Sequence, residues 1–461
     1  MKTYTKAILL FLLIICLCTN YGFAQTKKVL QIDSLIKGAN QRDLFNGNVL
    51  IVENNKTIYK VAIGKADAFG ITKLTEQYRF HIGSIAKEFN AVAIMVLKEQ
   101  GLLKLDDKVS KYIQGLPSWA NKIKIINLLQ YTSGLPNPKW DSIRNDTDNF
   151  NDLKKSKLDF EPGTNYAYNN NNVFLQKRIV ESISSMSFND FVKEKLLKPL
   201  GMKTAIVDPT QNDKFIARSF NKDNKQDTLL NPMSGWTAVT LNDFYKWSQA
   251  INEFKLINPS STAELMATFD NGQCGLGAGV MENNKMISHR HDGTAGNYQA
   301  LLVSTIPNGR TVILMTNNKQ NNLYAINTSI QSILDGKPYA QIKKSILSDF
   351  SHQIELMSGQ QFLDFYEKMK DEKNDLYSFQ DESTLNEVGY QLLKKKKNED
   401  AILVFERNTV LYPESGNVFD SLGEAYYNIG NKEKALLNYK KSLALDPTNS
   451  TAKNVILELE K

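Results

Sequence analysis

The sequence predicts an α+β fold, with an antiparallel sheet flanked by helices and a helical subdomain, followed by an all-α tail. Three observations carry this prediction. Strand-like hairpins stand near both ends of the first part of the chain, the pattern between them is mostly helical, and after about Asp335 the composition becomes polar and rich in Lys and Glu. Strands at both ends with helices between them are typical of a sheet that is closed by distant parts of the chain.

Length and composition limit the classes of protein to which the chain can belong. Its 461 residues, at roughly 150 residues per domain, predict two to three domains. The 42% of hydrophobic and 10% of aromatic residues are enough for a sizeable core and exclude wholesale disorder. The net charge of +7 is too small over this length to indicate a nucleic-acid partner.

Cysteine and histidine are too sparse for a disulfide framework or a metal centre. Cys16 and Cys18 belong to an N-terminal apolar run, which leaves Cys274 alone in the rest of the chain. A single thiol forms neither an internal disulfide nor a thiolate metal cluster. The four histidines are too scattered for the spacing of a zinc site, so we predict no metal ligands.

The N-terminus has the features of a secretory signal peptide. Lys2 and Lys6 precede an apolar run, Ala7–Cys18, of 12 residues. This run is too short to span a bilayer of about 30 Å, and small residues stand before a cleavage point after Ala24. We therefore predict that residues 1–24 are removed and that the mature protein is periplasmic or secreted, without a membrane span. An uncleaved anchor is the alternative.

Two hairpins define the predicted sheet. The first pairs Gly47–Val52 with Thr57–Ala62 across a stretch of turn-forming residues. The second pairs Tyr298–Thr305 with Thr311–Thr316 around a Pro-Asn-Gly turn.

The residues between the hairpins predict several helices. Ile85–Gln100 is apolar nearly all round, which indicates a buried helix, and Gly101 supplies its stop. Further helices are predicted at Asn172–Ser182, Phe188–Leu197 and Leu241–Asn252.

Residues 384–461 contain two copies of a 34-residue repeat. Small residues, an aromatic residue and a proline recur at this offset: Gly389 and Gly423, Ala401 and Ala435, Phe405 and Tyr439, Pro413 and Pro447. This period and these residue types are typical of tetratricopeptide helix pairs. We therefore predict a tetratricopeptide-like tail that offers a surface for a protein partner.

The segment 339–383 is predicted to be a helical linker. Two repeats are fewer than the three or so that a free-standing array needs to bury a continuous core. Apolar residues recur at intervals of four on one face of a helix predicted over Gln341–Lys370: Ile342, Ile346, Phe350 and Ile354. We expect this face to dock against the repeats as their missing neighbour.

Ser84 and Lys87 form the first candidate catalytic pair. Residues three apart on a helical turn lie on one face, which puts the Lys87 amine beside the Ser84 hydroxyl. The start of a buried helix desolvates the amine and lowers its pKa, and a desolvated lysine can serve as the base that a serine nucleophile needs. Taken alone, this spacing is equally compatible with a serine that only caps a helix.

Two further motifs carry polar groups. Tyr168-Asn169-Asn170 follows a Pro-Gly turn and enters a helix, where a phenol and an amide could join the proton network of Ser84; an ordinary polar loop is the alternative. Met286–His291 is predicted to be a strand with His289 and His291 on one face. After it, Gly293 permits close approach of a ligand to the backbone, and the amide of Thr294 could pair with that of Ser84 as an oxyanion hole.

These motifs occur in the order Ser-x-x-Lys, Tyr-x-Asn and His-x-Gly, and in that order the chain resembles serine β-lactamase-related hydrolases of the class C and D-Ala-D-Ala carboxypeptidase/esterase type. The resemblance covers roughly residues 30–335, implies a β-lactamase/transpeptidase-like fold and places a hydrolase domain at 28–338. Supporting stretches are Phe80–Lys87, Leu128–Pro136, Phe160–Gly163, Lys198–Met202 and His291–Tyr298.

The resemblance also implies residue roles. Ser84 is the acylated nucleophile, and Lys87 and Tyr168 share the roles of general base and acid, which leaves open which of them is the base. No cofactor is implied. The resemblance assigns four further residues to the substrate site. Asn170 orients the catalytic groups, His291 and Gly293 form the edge strand of the site, and the amide of Thr294 joins that of Ser84 in the oxyanion hole.

Two positions depart from the family pattern. His291 stands where many members carry the lysine of a Lys-Thr-Gly motif, and an unperturbed histidine is mostly neutral at pH 7, so it binds a substrate carboxylate poorly. Asn169 stands where serine is common, between the two functional positions of its motif.

We therefore expect an exported serine hydrolase that cleaves an ester or amide in a small-molecule or peptide substrate, in the manner of an esterase or D-peptidase. One alternative is a penicillin-binding or weak β-lactamase protein. Another is a non-catalytic sensor of cell-wall peptides that uses its repeats to bind a partner. The full set of Ser84, Lys87 and Tyr168 favours the enzyme.

Overall fold

The computed structural model describes residues 25–229, 233–270, 272–319, 323–447 and 449–460. The predicted signal peptide, residues 1–24, lies outside this described part. None of the helices within it is long and apolar enough to cross a membrane. The chain divides into two compact units, one ending at Ile342 and the other beginning at Lys343.

The first unit contains two antiparallel sheets. In chain order their strands are β1 (Gly47–Glu53), β2 (Lys56–Ile63), β3 (Phe80–His81), β4 (Ile206–Val207), β5 (Thr237–Val239), β6 (Ala278–Glu282), β7 (Lys285–Ala295), β8 (Tyr298–Thr305) and β9 (Arg310–Thr316). The large sheet has the order β2-β1-β9-β8-β7-β6, and the small one β3-β5-β4. Both predicted hairpins are confirmed, and β1 also pairs with β9, so distant parts of the chain close the sheet.

The predicted helices are confirmed, with small changes at their ends. The helices of the first unit are α1 (25–41), α2 (Lys87–Glu99), α3 (Ile125–Leu129), α4 (Asp146–Leu153), α5 (Asn170–Ser184), α6 (Phe188–Phe191, continued by a π-helical segment, Val192–Leu197), α7 (Leu241–Asn252), α8 (Pro259–Met266) and α9 (Leu323–Leu334). Helix α5 begins before the predicted Asn172, because the side chain of Asn169 caps it by accepting from two backbone amides.

Alternate side chains of the large sheet enter two different cores. Leu50 and Ile313 are buried in the core that contains α2 and α5. Their chain neighbours Val49 and Leu314 are buried in the core that contains α1 and α9. This is the period of two expected for strands covered on both faces.

Helix α2 is buried, as its apolar sequence predicts, and it anchors the centre of the first unit. A 3₁₀ turn, Gly83–Ala86, leads into it. The ring of Phe89 stacks on Trp247 of α7 with centroids 3.9 Å apart. The first turn of α2 is thereby held in a fixed position beside the large sheet.

The second unit is all helical. Its helices are α10 (Ile346–Glu355), α11 (Gly359–Lys373), α12 (Ser383–Lys394), α13 (Asn398–Leu411), α14 (Gly416–Asn428), α15 (Lys432–Leu445) and α16 (Ser450–Leu459). The expectation of one helix over Gln341–Lys370 is wrong, because Ser358 caps a new helix with a capping box and separates α10 from α11.

The interpretation of 339–383 as a linker changes with this finding. Ile346 and Ile354 of α10 are buried in one core with the side chains of the repeats, as the docking hypothesis expects. Ile342 belongs instead to the core of the first unit, where it is 4% exposed. The first unit therefore extends past the predicted end at 338.

Close helix contacts explain the small residues of the repeat. A Cβ atom on Gly389 of α12 would lie 2.5 Å from the Phe405 ring of α13, and one on Gly423 of α14 would lie 3.1 Å from the Tyr439 ring of α15. Because real Cβ atoms essentially never show contacts below 3.0 Å, a larger residue at Gly389 would force the Phe405 ring or the two helices to shift.

Candidate active site

Ser84 lies in the 3₁₀ turn at the start of α2. The turn begins at Gly83, whose φ of +55° favours glycine, and the Gly83 amide donates to Nδ1 of His81 at 3.0 Å. One turn further on, Nζ of Lys87 lies 2.9 Å from Oγ of Ser84. The turn therefore holds the hydroxyl and the amine in direct contact.

Lys87 is held in an apolar, aromatic environment. Its amine lies 5.1 Å from the ring centres of both Tyr168 and Trp236. Within the described part of the chain it has no carboxylate partner. Burial lowers the pKa of Lys87 to about 7, so a large fraction of the amine is neutral at physiological pH.

Tyr168 completes a group of three polar side chains. Its phenol hydrogen-bonds to Ser84, and burial raises the pKa of Tyr168 to about 12. The phenol therefore keeps its proton at pH values where the Lys87 amine has lost its own. The two groups that share a contact with Ser84 thus have opposite proton preferences at neutral pH.

The loop before α5 is held by asparagines. Asn169 caps α5 and donates to the carbonyl of Leu135 at 2.9 Å, so the departure from serine at this position has a structural role. Asn170 lines a small cavity together with Lys87 and Trp236. Among the described residues, however, its buried Oδ1 has no hydrogen-bond partner, and we find no bond from Asn170 to Ser84 or Lys87.

Strand β7 passes directly beside Ser84. The predicted strand Met286–His291 continues to Ala295, so Gly293 and Thr294 lie inside it. A Cβ atom on Gly293 would lie 2.7 Å from the Ser84 nitrogen, and one on Gly83 would lie 2.4 Å from the Thr294 nitrogen. This crossing, which only glycines permit, brings the two predicted oxyanion donors close together.

A buried carboxylate that sequence reasoning missed lies behind the strand. Oε1 of Glu88 is 2.9 Å from Nε2 of His289 and 2.6 Å from Nδ1 of His291. Its Oε2 accepts from Nε1 of Trp247 at 2.6 Å. Burial would raise the pKa of Glu88, but the hydrogen bonds that it accepts from His289 and His291 act in the opposite direction, and its pKa lies below its usual range. The available signal was an acidic residue in the first turn of a helix that is apolar nearly all round.

His291, which the resemblance assigns to substrate binding, is almost fully enclosed. It is 4% exposed, and its second ring nitrogen, Nε2, lies 2.9 Å from the side-chain amide of Gln273. The backbone at Gly277 lies so close that a Cβ atom there would be 2.5 Å from the ring. Both ring nitrogens are thus engaged by protein groups.

Within the described ranges, no group of three or more His, Cys, Asp or Glu side chains is arranged to hold a metal ion. The groups assembled at Ser84 are its hydroxyl, an amine whose pKa is lowered to about 7, a phenol and two backbone amides.

Comparison with known proteins gives two family matches. The Beta-lactamase family model matches residues 32–332, more than half of the chain. The tetratricopeptide-repeat model matches residues 417–449, which cover α15 and all of α14 except its first residue.

Individual relatives match over the same part of the chain. Penicillin-binding protein 4* of Bacillus subtilis is 26% identical over 349 residues, 67% of this chain and 76% of that protein. A class C β-lactamase structure has a TM-score of 0.57 at 20% identity, covering 68% of this chain and 98% of that one. The D-amino acid amidase from Ochrobactrum anthropi has a TM-score of 0.56 at 18% identity, covering 67% and 98%.

Proposed function

Because this chain belongs to the Beta-lactamase family, we propose that it is a serine hydrolase that cleaves an ester or amide through an acyl-enzyme on Ser84. The observation that carries the proposal is the contact of 2.9 Å between the Ser84 hydroxyl and a buried lysine amine without a carboxylate partner among the described residues. A hydroxyl is a weak nucleophile until a base takes its proton, and a neutral amine beside it is such a base.

Acylation begins with the transfer of the Ser84 proton to the neutral amine of Lys87. Oγ then attacks the carbonyl carbon of the substrate, and the carbonyl oxygen becomes an oxyanion between the amides of Ser84 and Thr294. Their closeness at the crossing of Gly83 and Gly293 supports this assignment.

Departure of the leaving group requires a proton donor. Tyr168 contacts Ser84 and keeps its proton at neutral pH, so we assign it the role of general acid and Lys87 that of general base. Protonation by Tyr168 expels the alcohol or amine, and the proton on Lys87 replaces the one that Tyr168 lost. In deacylation the same proton transfers run in reverse. Tyr168 gives its proton to Lys87 and takes one from the attacking water, and Lys87 returns a proton to Oγ of Ser84 as the acid product leaves.

The enclosure of His291 supports a preference for substrates without an essential carboxylate. Its ring carries no free nitrogen toward substrate, since Glu88 and Gln273 occupy both. Esters and amides with a neutral acyl group therefore suit the site better than β-lactams, which carry a carboxylate. A penicillin-binding protein is the second candidate, favoured by the similarity to penicillin-binding protein 4* of Bacillus subtilis.

We further propose that residues 1–24 direct export and that the mature chain begins near Gln25, in the periplasm or outside the cell. The repeats of the second unit would bind a protein partner.

The proposal is tested by labelling and turnover on the purified mature protein. A serine-directed phosphonate should add one mass equivalent to the wild type and to Ser142→Ala, a surface control, but none to Ser84→Ala. A panel of chromogenic acyl esters, D-aminoacyl anilides and a cephalosporin should show ester turnover well above cephalosporin turnover. An adduct that survives Ser84→Ala would overturn the assignment of the nucleophile.

A cephalosporin adduct of stable mass without turnover of any ester or anilide would favour the penicillin-binding alternative. Absence of both adduct and turnover in a folded protein would favour the non-catalytic sensor.

A further inference from the structure

The three buried groups Glu88, His289 and His291 carry an inference about the edge of the site. The Glu88 carboxylate is fully enclosed and faces three nitrogen atoms, those of His289, His291 and Trp247. A buried carboxylate is stable only when it is well supplied with donors. Each of the three nitrogens must therefore carry a hydrogen toward Glu88.

The surroundings of His289 fix its protonation state. Its Nε2 lies between two acceptors, Oε1 of Glu88 and the carbonyl of Leu276 at 3.1 Å, so Nε2 is protonated. Its Nδ1 is buried without a hydrogen-bond partner in the described structure. An unpaired lone pair at that position costs less than an unpaired N–H of a cation, so His289 is the neutral Nε2–H tautomer.

The surroundings of His291 fix the opposite tautomer. Its Nδ1 carries the hydrogen that Glu88 accepts. In the amide orientation that this structure assigns to Gln273, Nε2 faces the side-chain nitrogen, which has hydrogens to donate and no lone pair to offer. His291 is therefore neutral, with Nδ1 protonated and Nε2 as the acceptor.

Gln273 connects this pair to the edge of the site. It is half-exposed, and its backbone amide donates at 3.0 Å to the hydroxyl of Tyr166, two residues before Tyr168. The side-chain amide has a second N–H that His291 does not use. A chain of contacts thus runs from Glu88 through His291 to a neutral donor at the rim.

We propose that Glu88 is a positioning residue that fixes His291 as its Nδ1–H tautomer and thereby holds the Gln273 amide as a neutral hydrogen-bond donor for an uncharged acceptor group of the substrate. The statement about substrate rests on the proposed function, whereas the statement about the tautomer does not. In this proposal an amide N–H of Gln273, and not a cation, recognises the substrate at this edge of the site.

The tautomer is tested without any activity measurement. Full-length mature protein with ¹⁵N-labelled histidine gives long-range ¹⁵N–¹H correlations that distinguish the two neutral tautomers and the cation. We expect His291, identified by the loss of its signals in His291→Gln, to show a protonated Nδ1 and an unprotonated Nε2 at pH 7. An Nε2–H tautomer or an imidazolium in the wild type would overturn the proposal.

Two substitutions test the role of Glu88. Glu88→Leu removes the acceptor and should move His291 away from the Nδ1–H pattern, while Glu282→Leu, a surface control on β6, should leave it unchanged. Because Glu88→Leu can fail to fold, Gln273→Glu provides a second test at a half-exposed position. A carboxylate facing Nε2 should draw a proton onto it, so that His291 shows two protonated nitrogens at pH 7, and an unchanged pattern would overturn the proposal.

The consequence for substrate is tested by kinetics. Gln273→Ala should raise KM for a neutral ester about five- to tenfold and leave kcat within about threefold, the pattern expected when binding and not chemistry is lost. An unchanged KM would overturn the assignment of Gln273, even if the tautomer is as stated. Failure of the proposed function is distinguishable, because it would appear as absent turnover with the histidine spectrum unaffected.

Discussion

Nδ1 of His291 lies 2.6 Å from Oε1 of Glu88. Lys87 immediately precedes Glu88 in the chain, and its Nζ lies 2.9 Å from Oγ of Ser84. Consecutive side chains on a helix point about 100° apart. Two side chains of the first turn of α2 therefore point in different directions. The amine of Lys87 faces Ser84, and the carboxylate of Glu88 faces strand β7. The carboxylate of Glu88 and the amine of Lys87 do not pair with each other, so Glu88 does not stabilise the protonated form of the amine that has to act as a base.

Acylation should depend on the neutral form of Lys87. Burial lowers the pKa of this amine to about 7, and only the neutral amine can accept the Ser84 proton. The single-turnover acylation rate should therefore rise with pH, reach half of its maximum near pH 7 and level off above it. Rapid-mixing measurements with a chromogenic ester between pH 5 and 9 test this.

The control for this prediction is Tyr168→Phe, which should lower the rate but leave the midpoint in place. If Tyr168 were the base, its raised pKa would place the midpoint far above neutrality. A rate that is independent of pH across this range would contradict the assignment of Lys87.

The buried amine should also cost stability. The pKa of Lys87 is lower in the folded chain than in the unfolded one. The free energy of unfolding is therefore reduced once the pH falls below the pKa of the unfolded chain, and the reduction is complete below about pH 7. Lys87→Met keeps the volume and removes the amine. We expect it to raise the free energy of unfolding by roughly 1–3 kcal/mol at pH 7 while abolishing acylation, and denaturant titration measures the first effect. A variant less stable than wild type would show that the amine contributes to folding.

The crossing of Gly83 and Gly293 should tolerate no side chain. A Cβ atom on Gly293 would lie 2.0 Å from the carbonyl oxygen of Ile82 and 2.7 Å from the Ser84 nitrogen, both of them backbone atoms. Gly293→Ala should therefore separate β7 from the turn and reduce kcat/KM by roughly a hundredfold or more, the loss expected when an oxyanion donor is displaced.

Gly38→Ala is the matched control for that substitution. Gly38 lies within α1, where a Cβ atom meets only the flexible end of Arg42 at less than 3 Å. Alanine is the better helix former at such a position, so stability should not fall and activity should be unchanged. Full activity in Gly293→Ala would mean that the amides of Ser84 and Thr294 do not cooperate.

Local patterns allowed much of the fold to be predicted from the sequence, and non-local contacts explain what was missed. The hairpins and the buried helix α2 follow from periodicity, and the contact of Ser84 with Lys87 follows from one helical turn. Glu88 was missed because its partners His289 and His291 are about 200 residues away, and nothing in a local pattern reports such a pairing. The break at Ser358 was missed because an interval of four between apolar residues persists across two helices.

Hydrolysis should depend on the first unit alone, provided that the chain is cut at the right residue. Ile342 is 4% exposed in the core that contains α9, and the Ala340 carbonyl accepts from Ser329 of α9 at 2.8 Å. A chain ending at Ile342 should therefore keep ester hydrolysis within a few-fold of full length. A chain ending at Pro338 loses both contacts and should be less stable by roughly 2–4 kcal/mol, the cost of removing a buried isoleucine.

The reciprocal variant changes the second unit and leaves the full chain in place. Gly389→Leu inserts a side chain where a Cβ atom already lies 2.5 Å from Phe405, so the pair α12–α13 should separate. Calorimetry should show a lowered transition for the second unit, with ester hydrolysis unchanged. If Gly389→Leu abolished hydrolysis, or if the chain ending at Ile342 were folded but inactive, the second unit would have to contribute to the active site, and the assignment of catalysis to residues before Ile342 would be wrong.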